Sequence, residues 1–121
     1  MKTNILYFNT RDELLRLDIS KIVYFEADGN YTVIVTANQL KATIGISLVQ
    51  MEKELAKQLG IRANRFCRIG KRYIINLNYV CRIQTGLQRL VLSDTHSFTY
   101  QLSVSKDALK KLKDMMLTIK Q

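Results

Sequence analysis

Residues 22–36 read IVYFEADGNYTVIVT, and this stretch predicts the β-hairpin on which the fold is built. Residues 22–25 and 31–36 are rich in β-branched and aromatic side chains, which favour strands. Asp28, Gly29 and Asn30 lie between them and form a strong turn signal, because glycine and asparagine tolerate the backbone angles of tight hairpins. We therefore expect an antiparallel pair of strands here.

Further short strands are predicted on both sides of this hairpin. Their connections are too short for crossovers, which favours antiparallel pairing over βαβ units. The predicted strands are residues 4–8, 13–17, 40–46, 66–69, 72–76, 79–84, 88–92 and 97–102, with turns at 9–12, 70–71, 85–87 and 94–96. The total is about nine or ten short strands.

Two segments change to helical spacing. In the first, apolar residues recur at Leu48, Met51, Leu55 and Leu59. Ser47 and Gln50 predict a capping box at its start, and Gly60 predicts its end. The second follows Ser105, a candidate N-cap, with Asp107 in its first turn. The expected fold class is mainly β, with one short internal helix and a C-terminal helix.

The 121 residues carry a net charge of +9, and the excess is uneven along the chain. Residues 1–60 contain seven cations and seven anions, whereas residues 61–121 contain twelve cations and three anions. No acidic residue occurs between Glu54 and Asp94. A surface meant only for solubility mixes the two signs, so this pattern points to a polyanion such as nucleic acid or an anionic membrane surface.

Several classes of protein are poor fits. No apolar run is long enough to span a membrane, and the N-terminal apolar stretch is too short for a secretory signal. We therefore expect a cytoplasmic protein. Cys67 and Cys81 lack the spacing of a zinc or redox site, and we interpret them as buried core thiols.

No catalytic constellation can be assembled from the sequence. His96 is the only histidine and falls in a predicted turn, with no nucleophile placed beside it by a motif. Gly70-Lys71 fails as a phosphate-binding loop, because Arg65 and Arg72 replace the glycine and the hydroxyl residue that such a loop requires. We expect no enzyme activity, no cofactor, no metal and no small-molecule substrate.

The basic half alternates cations with aromatic and amide side chains, which suits contacts to both phosphates and base edges. Lys71 and Arg72 are expected to point outward beside Gly70, with no local acid to neutralise them. This pattern favours a nucleic-acid partner.

The chain resembles the LytTR DNA-binding domain of bacterial response regulators over nearly its whole length. Four ordered blocks carry the resemblance: residues 22–34, 66–76, 90–94 and 102–106, with the predicted helix at 48–59 in the family's position. Two blocks depart from the family pattern. Gly70, Lys71 and Arg72 stand where His-Arg-Ser is usual, and Ser103 and Lys106 stand where proline and arginine are usual.

The resemblance implies an elongated arrangement of β-sheets whose loops enter the major grooves of DNA. The DNA-binding residues that it implies are Asn30 and Tyr31 on a first loop, Lys71 and Arg72 on a second with Arg68 nearby, and Ser105 and Lys106 on a third. Four of these also have structural alternatives. Asn30 could support a positive φ, Tyr31 could pack sideways on the sheet, Arg68 could pair with Glu26, and Ser105 could only cap the helix.

The expected function is sequence-specific binding of double-stranded DNA by a transcriptional regulator of the response-regulator, two-component type. Residues 1–121 are expected to form a single domain of this type with no receiver domain, and promoter DNA is the expected partner. Paired repeats and a homodimer on DNA remain open. The alternatives are an RNA-binding module and a protein-interaction module without nucleic acid.

Overall fold

A computed structural model describes residues 4–119, which form ten β-strands, two α-helices and three short 3-10 helices. Residues 1–3, part of the segment weighed above as a secretory signal, and residues 120–121 lie outside the described residues. The strands are β1 Ile5–Asn9, β2 Leu14–Asp18, β3 Ile22–Asp28, β4 Tyr31–Thr36, β5 Lys41–Ile44, β6 Phe66–Ile69, β7 Tyr73–Asn76, β8 Val80–Gln84, β9 Arg89–Ser93 and β10 Thr99–Ser103. The helices are α1 Leu48–Leu59 and α2 Lys106–Ile119, and the 3-10 helices are Ile19–Lys21, Gly60–Arg65 and Leu77–Tyr79.

The strands form three antiparallel sheets. A central five-stranded sheet has the order β5-β4-β3-β7-β6, β1 pairs with β2, and β8, β9 and β10 form a third sheet in the order β10-β9-β8. The predicted mainly β fold is therefore confirmed. The 3-10 helices were not anticipated, because runs of three to six residues carry no periodic apolar signal.

The central sheet is covered on both faces. Phe25, opposite Ile34 and Ile74 in the register, belongs to a core shared with α1 and the β1–β2 hairpin. Its neighbour Tyr24 faces the other way and belongs to a second core with the third sheet and α2. Because β3 lies between the two cores, with Ile22 and Phe25 in the first and Val23 and Tyr24 in the second, residues 22–25 are all buried, which explains their continuous apolar run.

Both ends of α1 follow the sequence signals. The Gln50 backbone N–H donates to the Ser47 hydroxyl at 3.2 Å, and the Ser47 N–H donates to Gln50 Oε1 at 3.0 Å. Gly60 follows the helix with φ +56°, where a side chain would be strained. The capping box thus fixes where α1 begins beside β5.

The interpretation of both cysteines as buried core residues is wrong for Cys81 and holds only in part for Cys67. Cys81 is exposed, because β8 is an edge strand and its register with β9 shifts between Val80 and Arg82. Such a bulge leaves the extra residue unpaired. Cys67 is partly buried against the second core, and this burial raises the pKa of its thiol.

The turn before β10 is longer than predicted. Asp94 Oδ1 accepts hydrogen bonds from the backbone N–H groups of His96, Ser97 and Phe98 at 2.7–3.1 Å. These bonds commit residues 94–98 to the turn, so β10 begins at Thr99 rather than at residue 97.

Candidate nucleic-acid interface

Two of the implied loops lie side by side at one end of the central sheet. Loop 1, residues 28–31, joins β3 to β4, and loop 2, residues 70–72, joins β6 to β7. β3 and β7 pair antiparallel with Glu26 opposite Tyr73, so the end of β3 lies beside the start of β7. The Ala27 N–H donates to the Arg72 carbonyl at 2.8 Å and ties the two loops together.

Loop 3, residues 104–106, joins β10 to α2 and reaches the same end. Ser105 lines a cavity of about 320 Å³ together with Gly70 and Arg68 of the neighbouring strand and turn. The Val104 N–H donates to the Gln88 carbonyl at 3.1 Å, which anchors the loop to the β8–β9 turn. The three loops come from distant parts of the sequence and meet at one surface, which we call the loop end.

Loop 1 presents Asn30 without an internal role. Gly29 has φ +60°, whereas Asn30 is not among the residues with positive φ, which is the pattern of a type II′ turn. Asn30 is exposed, and its side chain makes no hydrogen bond with the described residues. The alternative that Asn30 supports a positive φ is therefore wrong, and its amide is available to a partner.

Tyr31 combines packing with exposure. Its ring lies against Gly45, where an added Cβ would be 3.7 Å from the ring carbon Cε1, so the sideways packing weighed above is present. The residue nevertheless keeps 55% of its surface exposed. Tyr31 can thus contact a partner from a fixed position.

Loop 2 holds its two cations differently. Gly70 adopts φ +60°, and Lys71 is exposed with no ion pair among the described residues. Arg72 instead donates to Glu26 Oε2 from Nε at 3.1 Å and from Nη2 at 2.9 Å. The hydrogen bond to Glu26 raises the pKa of the Arg72 guanidinium. The prediction that no acid lies beside either residue is therefore wrong for Arg72.

Arg68 lies behind loop 2 and uses its donors inside the protein. Nε donates to the Gly70 carbonyl at 3.0 Å, Nη2 lies 3.4 Å from the Lys71 carbonyl, and Nη1 lies 3.2 Å from Glu52 Oε1. The expected ion pair with Glu26 is wrong, because Glu26 is paired with Arg72. Arg68 therefore braces the turn that carries Lys71.

Loop 3 combines a helix cap with an exposed cation. The Ser105 hydroxyl accepts the Ala108 N–H at 3.3 Å, as expected for a residue capping α2. Lys106 is the first residue of α2, is exposed, and makes no ion pair among the described residues. Its charge is available to a partner.

Sequence reasoning assigned Glu26 to the wrong arginine and missed Glu52. Glu26 and Glu52 are 46 and 16 residues away in the sequence from the arginines with which they pair. Glu26 is paired with Tyr73 in the antiparallel register of β3 and β7, and its carboxylate therefore lies beside Arg72, the residue before Tyr73. Only the register of β3 against β7 brings this pair together, and no local pattern encodes that register.

The described residues, 4–119, contain neither a cluster of metal ligands nor a helix that could span a membrane. No group of three histidine, cysteine or carboxylate residues is arranged to hold a metal ion in this part of the chain. Within the same residues, neither helix is both long and apolar enough to cross a membrane. His96 is exposed in the turn at residues 94–98. In the same turn, several hydrogen bonds to the Asp94 carboxylate lower its pKa, and the bond from the Ser97 hydroxyl has the largest effect.

Most of the chain is similar to a known family of domains. The model of a family described as the LytTr DNA-binding domain matches residues 12–117. A solved structure of a LytTr DNA-binding domain, from a Bacillus cereus protein described as a methyl-accepting/DNA response regulator, is similar in fold, with a TM-score of 0.64. The two are 22% identical over 94% of this chain and 97% of that chain. No curated protein matches the sequence.

Proposed function

This chain belongs to the LytTR family of DNA-binding domains, and on that premise we propose that it binds double-stranded DNA sequence-specifically as a transcriptional regulator of the response-regulator output type. Its loops would enter major grooves at promoter sites. The observation that carries the proposal is the loop end itself, where three separate segments present exposed polar residues at one surface.

The proposed contacts differ in kind. Lys71 and Lys106 suit phosphates, because an unpaired ammonium group acts as a point charge without directional preference. Asn30 and Arg72 suit base edges, since an amide and a guanidinium can each make paired hydrogen bonds with one base. Tyr31 and Ser105 would contact the sugar-phosphate backbone. Arg68, whose donors face the protein, would act by holding loop 2 in place.

We also propose that the chain is a binding protein rather than an enzyme, works in the bacterial cytoplasm, and forms one DNA-binding unit over residues 1–121. Family membership supports the first statement, because the family is defined by DNA binding. Binding of two copies to paired repeats would extend the same contacts to a second site.

The experiment measures affinity for an operator selected from a random pool of duplex DNA. We expect Arg72→Ala to weaken operator binding by about 1–3 kcal/mol, because it removes a contact to a base, and Lys71→Ala to weaken binding to the operator and to random duplex DNA about equally, because it removes a phosphate contact. Lys41→Ala is the matched control, because Lys41 is an exposed cation that begins β5 at the opposite end of the sheet. Equal effects of all three variants would contradict the assignment to the loop end.

Binding assays with the same protein can distinguish DNA binding from RNA binding and from protein interaction. An RNA-binding module would stack unpaired bases on exposed aromatic rings. Among the aromatic residues described at the loop end, Tyr31 is exposed whereas Tyr73 and Tyr24 are buried, which favours duplex DNA. Competition between duplex DNA and single-stranded RNA of equal length would test this. A protein-interaction module would give no mobility shift with either nucleic acid.

A further inference from the structure

The pair formed by Glu26 and Arg72 has a geometry that restricts what Arg72 can recognise. One carboxylate oxygen, Oε2, accepts from both Nε and Nη2 of the guanidinium, at 3.1 and 2.9 Å. A guanidinium has five N–H donors, of which three remain. These are the two on Nη1 and the second on Nη2, and they lie along the outer edge of the group.

The plane of the guanidinium is held by a second contact. Arg72 Cζ lies over the ring of Tyr73, 5.3 Å from its centroid, within the range of a cation–π interaction. The Tyr73 ring packs edge-on against the Tyr24 ring, with centroids 6.0 Å apart. Both tyrosines are buried in the second core. The carboxylate and the ring thus fix the side chain on two sides, while 61% of the Arg72 side chain remains exposed.

The free edge matches one base better than the others. Guanine presents two acceptors, O6 and N7, side by side in the major groove, and paired donors from arginine satisfy both. A phosphate would also accept from this edge, but it carries a negative charge that Glu26 repels. A neutral base edge suffers much less of this repulsion, so the carboxylate biases Arg72 toward guanine.

We propose that Glu26 is a positioning residue that directs Arg72 to read a guanine in the operator. The inference rests on the proposed function and adds to it the identity of one base and the residue that enforces it. Lys71, the neighbouring cation without a carboxylate partner, serves the backbone instead.

The first experiment identifies the base that Arg72 contacts. Bound sequences are selected from a random duplex pool with the wild-type protein and with Arg72→Gln. We expect one position to lose its preference in the variant and the preferred base there to be guanine. Replacing that G·C pair with A·T should weaken wild-type binding at least about 10-fold, as for a bidentate arginine–guanine contact. A different preferred base at that position would overturn the inference.

The second experiment tests Glu26 through Glu26→Gln, a change that keeps the shape of the side chain. Its matched control is Glu52→Gln, which removes a carboxylate of the other ion pair at the loop end, that of Arg68. Both variants should bind random duplex DNA more tightly to a similar degree, since each removes one negative charge. Only Glu26→Gln should reduce the preference for G·C over A·T at the Arg72 position, to below about 3-fold.

The ratio between the two operators is the decisive readout, because a general loss of fold would weaken binding to both equally. A full preference in Glu26→Gln, or an equal loss in Glu52→Gln, would overturn the role of Glu26. Failure of the proposed function itself would look different. The wild-type protein would then bind selected and random duplexes with equal affinity.

Discussion

Asn76 is a polar residue that the fold buries completely at the end of β7. Its Nδ2 donates to the Ile22 carbonyl at 2.8 Å, and its Oδ1 accepts the Asn78 N–H at 3.0 Å. The amide therefore joins the start of β3 to the turn after β7. A buried amide in such a position stabilises the fold only because each of these partners is satisfied.

We expect Asn76→Ala to lower the free energy of unfolding by about 1–3 kcal/mol, because the Ile22 carbonyl would remain buried without a donor. Urea unfolding at constant m value would measure the change. Asn78→Ala is the control, since Asn78 is exposed and contributes only its backbone N–H, and it should cost less than about 0.5 kcal/mol. Equal losses in the two variants would show that the buried carbonyl finds another donor.

At the residue scale, the sequence identified which side chains to consider but not the partners of the arginines. Lys71 was expected to be exposed, and it is. The pairing of Arg68 with Glu26 and the absence of an acid beside Arg72 are both wrong predictions, because a charge count along the chain registers only sequence neighbours. Glu26 lies beside Arg72 because β3 pairs with β7, and Glu52 contacts Arg68 from α1. Local sequence patterns predict neither contact.

At the scale of elements, the turn that forms loop 2 depends on Gly70. Its φ of +60° lies in the left-handed region, and an added Cβ would meet no atom within 4 Å. The cost of a side chain there is therefore conformational rather than steric. Arg68 stabilises this turn, because its Nε donates a hydrogen bond to the Gly70 carbonyl.

Gly70→Ala should destabilise the protein by about 1 kcal/mol, because alanine pays for the left-handed conformation that glycine adopts freely. Gly86→Ala is the matched control, since Gly86 also has open space around it but lacks a positive φ. That variant should be neutral or stabilising by up to about 1 kcal/mol, through the lower entropy of its unfolded chain. Chemical denaturation of both variants would separate the two effects, and an equal response would contradict the strain at Gly70.

The turn before β10 should make the stability of the fold depend on pH in the acidic range. The Ser97 hydroxyl and three backbone N–H groups bind the Asp94 carboxylate and lower its pKa in the folded state. The unfolded chain has the ordinary value near 3.9. Because the pKa of Asp94 is lower in the folded state, the stabilisation that its carboxylate gives to the fold is complete above about pH 4 and is lost as the pH falls below that value.

Asp94→Asn should therefore be less stable than the wild type at pH 7, and the difference should shrink as the pH falls below about 4. Urea midpoints measured between pH 7 and pH 2.5 would show this convergence. Asp114→Asn changes the net charge equally at an exposed position of α2 and serves as the control. A constant difference across the range would exclude the carboxylate as its source.

Elements were predictable where their signals are local. The β3–β4 hairpin, the capping box of α1 and the ten strands follow from short-range patterns in the sequence. The bulge that exposes Cys81 was not predictable, since it results from how β8 aligns with β9. The pairing of β3 with β7, which brings loops 1 and 2 together, was not predicted, because the two strands are far apart in the sequence and no local pattern joins them.

At the scale of the whole molecule, the net charge of +9 is not confined to the loop end. Lys71 and Lys106 lie there, whereas Lys21 and Lys41 lie at the opposite end of the central sheet. Acidic residues also reach the loop end, where Glu26 and Glu52 each pair with an arginine. Under the proposed function, the specificity of the loop end would come from its paired charges, and its affinity for DNA from the cations that remain unpaired.

Salt dependence measures how many of these cations contact phosphates. If about six phosphates are neutralised, the slope of log affinity against log salt is about −5, and affinity falls about 10³-fold between 50 and 200 mM salt. Lys71→Gln should make the slope less steep by about 1, because it removes one such contact. Lys41→Gln should leave the slope unchanged, since Lys41 lies at the far end of the sheet. Equal changes in the two variants would mean that DNA binding responds to the net charge rather than to the loop end.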